Sequence, residues 1–526
     1  MNAPIAHDAM ALIASLAEIV GGENVLTGEA ITPWAQDVYR TLETPHAVVR
    51  PGSAGEVQRV VQAALAADMA IVPRGGGASY TDGYLPTRAR SILLDTGRMT
   101  AIKEINELNA TVTVEPGVTW ASLREALAAK GWRTPFWGPF SGFAATIGGT
   151  ASQNAISHGS GAHGISAQSF LSMQVVTGTG DIISTGSAAI GSEPTNRHHG
   201  PDLTGLFTGD AGALGVKVSL TLPLLRVKTA FQTASFSFPD FASLHQGMRA
   251  AAIEQLDDSQ FALDTALSQG QIARQSNASS LFSMGLSVLR SSPSLPAALA
   301  QLLRMATAGT KAIGAAAYAC HFILEGVDDF EAKAKLNRLR TIMAAFGVEI
   351  PNSVPAVVRG MPFAPLFNVL GPAGERWVPL HGVLSHTATP GFYKALKAFF
   401  AARADEMKRL GVWSGGMFET VGPSGFLYEI ALYWPDARTA YHESVIPPEY
   451  LATLPTYAEN LEARSYVHQL KADLIALYAE YGATHFQLGK AYPYASALQP
   501  EALALVRSLK SALDPKGLMN PGALGL

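Results

Sequence analysis

The chain has 526 residues, with 38 basic and 42 acidic side chains and a formal net charge of -4. No basic block stands out, so the electrostatic footprint of a nucleic-acid binder is missing. Hydrophobic residues make up 48% and charged residues 15%, which supports a large core and excludes a disordered chain. A single cysteine, Cys320, excludes a disulfide framework and a Cys-rich zinc or iron–sulfur site.

The segment MNAPIAHDAMALIASLAEIVGGENV carries acidic residues and lacks a basic n-region, so it reads as an amphipathic helix and not a signal peptide. No uninterrupted apolar stretch reaches the ~20 residues a membrane span needs. The longest candidate, over 306–324, is broken by Lys311 and several glycines. A soluble, cytoplasmic protein is the expectation. Residues 1–45 read as a helix and a short connection.

From Ala47 short strands alternate with helices. AVVRP is a strand stopped by Pro51, and Ser53 with Glu56 predicts a capping box at the head of the next helix. AIVPRGGG is a strand running into a glycine loop. SILLDTGRM and ATVTVEPGV are further strands, and TWASLREALAAKG is a helix closed by Gly131. After Val227 the texture shifts to a second α+β unit. It holds the strand FQTASFSFP, helices over 293–309 and 328–347, and the later strand FLYEIALYW. The last segment is a helix ending in a Pro/Gly-rich tail.

Four segments carry the chemistry. The first is Pro73, Arg74, Gly75, Gly76, Gly77, Ala78, Ser79, directly after a strand. Consecutive glycines let several N–H groups converge on one anion such as a pyrophosphate. The pattern is neither G-x-G-x-x-G nor a Walker loop. The second is the strand-to-helix turn Glu115-Pro116-Gly117-Val118-Thr119-Trp120. The third runs from Trp137 and Gly138 past Gly142 to Gly148, Gly149, Ala151 and Asn154, continuing to His163 and Gly164. So many small residues suit close backbone approach to something flat or charged. The fourth spans 200–216, with Asp210, Gly212, Leu214, Gly215 and Val216, and leads into the strand VKVSLTLPLL.

The order of these segments resembles the FAD-binding domain of the vanillyl-alcohol oxidase / p-cresol methylhydroxylase superfamily. The C-terminal D-P-K-G-L-M-N-P-G, which includes Asn520, is similar to the signature on which that family's chains end. The resemblance implies an α+β fold: a PCMH-type FAD-binding domain of two α+β subdomains over 46–228, an α+β substrate (cap) domain over 229–480, and a segment over 481–526 returning to the FAD domain. It implies that the glycine loop cradles the pyrophosphate of FAD. The third and fourth segments would then contact the ribityl, ring or adenine portions. Ala78 stands where some relatives carry a flavin-linking histidine, so the FAD is expected to be non-covalent.

On the substrate side, the segment 484–490 is similar to the family's His-rich C-terminal stretch. It nominates His485 as an active-site base with Lys490 nearby, since abstraction of a hydroxyl proton suits a histidine. His381 and His386 sit where metal-dependent relatives carry G-H-x-G-D-G-N-x-H, but the G-D-G-N core is absent and no metal is assigned. Tyr428, Tyr433, Tyr492 and Tyr494 are candidates for lining the pocket. The implied activity is oxidation of an alcohol, either an aromatic or phenylpropanoid alcohol or a 2-hydroxy acid, by hydride transfer to flavin N5. Electrons would pass to oxygen, a quinone or a cytochrome. The alternatives are a non-redox flavoenzyme of the alkylglycerone-phosphate-synthase type and a flavin-binding subunit of a larger redox complex. The resemblance also admits a homodimer.

Overall fold

A computed structural model describes residues 3–275, 316–350 and 354–526. The helix expected over 293–309 lies outside the described residues. Among those described, the strands in chain order are β1 (Val25–Leu26), β2 (Ala47–Val49), β3 (Ala70–Arg74), β4 (Ser91–Asp95), β5 (Ile102–Asn106), β6 (Thr111–Val114), β7 (Trp132–Arg133), β8 (Ser172–Val176) and β9 (Ile182–Ser184). They continue as β10 (Val216–Pro223), β11 (Leu225–Arg226), β12 (Ala230–Phe238), β13 (Ser259–Asp264), β14 (Tyr318–Gly326), β15 (Val348–Glu349), β16 (Arg376–Ser385), β17 (Trp413–Val421) and β18 (Gly425–Trp434).

Three main sheets follow from them. The first, in the order β1-β2-β4-β3, is parallel between β2, β4 and β3. Its strands are apolar through their middles, over 47–49, 70–72 and 92–94, as strands covered on both faces must be. The helix Ala54–Ala66 packs Val57, Val60, Val61 and Ala64 against it. That helix starts at Ser53, whose Oγ accepts from Glu56 N at 3.2 Å. The expected capping box is displaced by one residue, because the Glu56 carboxylate accepts from Gly52 N at 2.7 Å. The second sheet, β5-β6-β10-β8-β9, is antiparallel. The helix Trp120–Ala128 contributes Trp120, Leu123 and Leu127 to its core.

The chain's end returns to the first sheet. Ile71 N donates to Leu518 O at 2.8 Å and Asn520 N to Ile71 O at 2.7 Å, so Met519 pairs beside β3. Asp514 holds this turn by accepting from Leu518 N, Met519 N and Lys510 Nζ.

The third sheet has the order β15-β12-β14-β13-β17-β18-β16. Side chains alternate between its faces. One face sends Phe418, Phe426, Tyr428, Ile430, Leu432, Val378 and Leu380 into a large core closed by the helices Phe241–Ile253, Thr389–Ala401 and Leu461–Glu480. The opposite face carries His381, Val383, Leu427 and Glu429. It meets the N-terminal half, where Ile156 packs on Leu427 and Phe486.

Candidate active site

A cleft of about 870 Å³, its mouth included, runs between the first two sheets, with Gln487 of the C-terminal segment on its border. Pro73, Arg74, Gly75, Gly76, Gly77, Ala78 and Ser79 line one wall. The strand β3 ends there because Pro73 and the glycines stop the ladder. The amides of Gly75 through Ser79 donate to no protein group among the described residues. Five adjacent unspent N–H groups form an anion-binding concavity. The facing helix Ile147–Gln153 presents no such free donors. Ile147 N and Gly148 N donate to Val118 O and Pro116 O, and Gly149 N to Thr146 Oγ1.

The glycine loop and the second glycine stretch need each other. A Cβ on Gly76 would lie 1.7 Å from Ala144 O, and one on Gly148 would lie 2.5 Å from Pro116 Cβ. Gly77 has φ +67°, a left-handed conformation that a side chain rarely adopts. Part of the small-residue signal is therefore packing of chain on chain.

The groups exposed to the cleft match an FAD molecule. Besides the amides, Arg74 Nε, Gln153 Oε1, Asn154 Oδ1 and Gln487 Oε1 are buried without a hydrogen-bond partner, and all four residues line the cleft. Buried polar atoms are rarely left unpaired, and a pyrophosphate, ribityl hydroxyls and a ring amide offer what they lack. Arg74 is otherwise engaged with Asp95 at 3.3 Å and lies 4.4 Å from the Trp34 ring.

Of the remaining residues read from the sequence, Gly148, Gly149, Asn154, Gly212, Gly215 and Val216 line the cleft. Several do not. Gly138 and Gly142 make room for Phe363, since Cβ atoms there would stand 2.8 and 2.4 Å from its ring. Ala151 is fully buried, and its carbonyl accepts from Gly209 N. Asp210 pairs with buried Lys217 and accepts from Gly212 N and Leu214 N, so it shapes the loop from behind. Leu214 belongs to the core of the second sheet. His163 ends the short helix Ser160–His163, where burial and then the charge of Arg133 lower its pKa. Gly164, at φ +74°, accommodates Gln168. Asn520 bridges Gly83 O, Ala211 O and Lys490.

Beside Gln487, which lines the cleft, Phe486 stacks on His381, so the outer face of the third sheet and the C-terminal segment form a wall next to the cleft. His381 is fully buried, stacks on Phe486 at 3.9 Å, and lies 5.1 Å from the Tyr492 ring and 6.0 Å from the Tyr80 ring. Both its ring nitrogens are without partners. His485 stacks on Tyr492 at 4.0 Å. Its Nδ1 lies 2.6 Å from His381 O. A carbonyl only accepts, so Nδ1 carries the proton and Nε2 the lone pair. Burial lowers the His485 pKa. Tyr492 Oη accepts from His381 N at 3.0 Å.

Two readings on this side, those of Lys490 and Tyr428, are corrected by the geometry. Lys490 is held away from the wall in a cage of Leu85 O, Gly83 O, Asp82 O and Asn520 Oδ1, at 2.6 to 3.4 Å. Burial pushes it down to about 7. Tyr428 points into the opposite core against Phe418 and Phe392. His386 pairs with His245 at 3.0 Å and with Pro423 O, apart from His381. Among the described residues no cluster of three His, Cys, Asp or Glu is arranged to hold a metal. The sequence reading missed Glu419 and Glu429, which share the wall with His381. A strand reading of FLYEIALYW with strict alternation, anchored on His381 across the register, would have found Glu429.

Residues 45–186 match the family model of the FAD binding domain, and residues 489–524 that of the C-terminal domain of FAD linked oxidases. The chain is 29% identical over 259 residues to a probable mitochondrial D-lactate dehydrogenase of Danio rerio, covering 47% of this chain and 50% of that one. It is 33% identical over 181 residues to glycolate oxidase subunit GlcD of Bacillus subtilis, covering 34% and 37%. The match thus spans half the length or less of these curated relatives. A structure of p-cresol methylhydroxylase with substrate bound superposes with a TM-score of 0.71 at 16% identity, covering 99% of this chain and 97% of that one. Residues 45–186 and 489–524 are thus similar to an FAD binding domain and to the C-terminal domain of FAD linked oxidases, the fold is that of p-cresol methylhydroxylase, and FAD is the cofactor.

Proposed function

We propose that this protein is an FAD-dependent oxidoreductase that oxidises a carbon bearing a hydroxyl to a carbonyl. The observation that carries this reading is the row of unspent amides at Gly75 to Ser79, in a cleft beside a wall where His381, His485 and Tyr492 converge. The amides hold the pyrophosphate, and Gln153, Asn154 and Gln487 offer acceptors to the rest of the cofactor. Bound there, FAD supplies a two-electron acceptor for the hydrogen leaving carbon. The chain's own part is to orient the substrate and move its hydroxyl proton. His485 is neutral, anchored through Nδ1, and takes that proton at Nε2. Tyr492 fixes the backbone of His381 and keeps its own O–H as a donor to the substrate oxygen.

The names of the curated relatives point to 2-hydroxy acids and that of the structural neighbour to a phenol, so both classes belong in the test. The purified protein is mixed anaerobically with a panel of alcohols and 2-hydroxy acids, and its visible spectrum recorded. The expected result is bleaching of the flavin bands by a panel member and release of free FAD on acid precipitation. Oxygen consumption then separates oxygen from a quinone or cytochrome as acceptor. A flavin that no alcohol or hydroxy acid reduces counts against dehydrogenation.

A further inference from the structure

The wall beside the cleft carries carboxyl groups and, among the described residues, no cation that would meet a substrate carboxylate. In the ladder, His381 of β16 and Met417 of β17 stand directly across from Glu429 of β18, and Glu419 stands across from Leu427. Period-two alternation puts His381, Glu429 and Glu419 on the same outer face. Glu419 is 3% exposed with Oε1 unpaired, and Asp257 behind it is equally buried with Oδ2 unpaired. Burial, and then the charges of Asp257 and Glu429, hold the Glu419 carboxyl well above the usual carboxylate range, which leaves Glu429 as the wall's charged group above pH 7.

No arginine or lysine among the described residues forms an ion pair with Glu419, Glu429 or Asp257. The nearest cations are spent elsewhere. Lys471 lies 4.3 Å from the Tyr39 ring and 3.5 Å from Tyr80 O. Lys490 sits in its carbonyl cage, and Arg133, Lys228 and Lys335 surround Asp258. A carboxylate entering this wall would lose its hydration and find no partner. An uncharged hydroxyl or amide finds acceptors in Glu429 and Gln487, and unpaired nitrogens in His381.

Resting on the oxidoreductase reading above, we propose that Glu429 determines specificity: it admits an uncharged alcohol and rejects a 2-hydroxy acid in its carboxylate form. Burial raises Glu429 to about 7, so its charge, and with it the rejection, grows as pH rises through neutrality. The groups facing it are His381, Glu419, Tyr80, Tyr492 and, from the helix Leu461–Glu480, Tyr478. Burial holds the histidine neutral, so it adds no compensating positive charge near pH 8, and burial raises the tyrosine pKa values, so they add no negative one.

The test measures binding without turnover. FAD-loaded protein at pH 8.5 is titrated with matched pairs lacking a hydroxyl: phenylacetamide and phenylacetate, cinnamamide and cinnamate, hexanamide and hexanoate. Flavin difference spectra and calorimetry report the affinities. A like charge about 6 Å away in an effective dielectric of about 20 weakens binding about a hundredfold. The expected result is that the amides bind and each carboxylate binds at least tenfold more weakly. In Glu429→Gln the gap narrows. Carboxylates that match their amides, a gap unchanged in that variant, or no binding by any pair overturns this proposal and leaves the oxidoreductase reading standing. A protein that takes up no FAD overturns both.

Discussion

Replacing Gly76 by alanine tests whether the glycine loop is shaped for the cofactor. The added Cβ would stand 1.7 Å from Ala144 O, whereas real Cβ contacts essentially never fall below 3.0 Å, so one segment must move by about 1.3 Å. Ala144 is the better anchored of the two. Its amide donates to Ser141 O at 2.9 Å, and the next carbonyl, Ala145 O, accepts from Trp120 N at 3.2 Å. The glycine loop therefore yields, and its row of amides loses its common focus. Overpacking of this kind costs about 1–3 kcal/mol. Each amide hydrogen bond to a charged group that is lost adds about 1.5–3 kcal/mol. At about 1.4 kcal/mol per factor of ten, FAD affinity falls on the order of a hundredfold. Flavin fluorescence quenching on reconstitution of the apoprotein measures this. Gly55→Ala is the control: it lies in the helix Ala54–Ala66 with no atom within 4 Å of its Cβ. There the change stabilises the helix by about 0.5–1 kcal/mol and leaves FAD affinity unaltered. Binding of FAD by Gly76→Ala within threefold of wild type would refute the reasoning.

Three further outcomes follow from the same geometry. Lys490→Met strands Leu85 O, Gly83 O and Asn520 Oδ1, lowers unfolding free energy by about 2–4 kcal/mol, and leaves turnover per bound flavin within about twofold; denaturant titration and flavin-normalised rates separate the two. Burial raises Glu429 from 4.5 to about 7, so between those pH values the folded chain holds a proton the unfolded chain has shed, and stability falls as pH rises. Glu429→Gln removes that loss, on the order of 3 kcal/mol by pH 8, so its melting temperature exceeds wild type at pH 8 and equals it near pH 4.5. A difference that does not change with pH counts against the assignment. Tyr492→Phe leaves the His381 amide without its acceptor and slows flavin reduction about tenfold or more. Tyr428→Phe, on the core face, leaves the reduction rate within about twofold; equal slowing of both variants would place Tyr428 in the wall.

The cofactor half of the site was legible because its signal is backbone. Gly75, Gly76 and Gly77 follow a β-branched strand, and three glycines there point to close approach or left-handed backbone, as at Gly76 and Gly77. The structure shows what a sequence reading cannot separate, namely which glycine approaches what. Gly76 answers to Ala144 O, Gly138 and Gly142 answer to Phe363, and Gly164 answers to Gln168. Asp210 and Asn520 were read as cofactor contacts because they sit inside the right motifs. Each instead satisfies backbone and lysine groups behind the loop: Asp210 through neighbours within seven residues, and Asn520 through Lys490 and through Gly83 and Ala211, which are hundreds of residues away.

The substrate half was less legible because it is written in strand parity. Tyr428 and Glu429 are neighbours in sequence and occupy opposite faces of one strand. Composition favours the tyrosine as a pocket residue, while the register favours the glutamate: His381 pairs with Glu429 across β16 and β18, and Tyr428 pairs with Gly382. One residue of slip exchanges the two sets completely. The hydrophobic pattern decides the matter, since Phe426, Tyr428, Ile430 and Leu432 form the apolar series that a covered face requires, and Glu429 falls outside it. The polar member of such a strand must face either solvent or a site. Here its face is closed over by Phe486 and Ile156, so a glutamate placed there is kept where a ligand is to meet it.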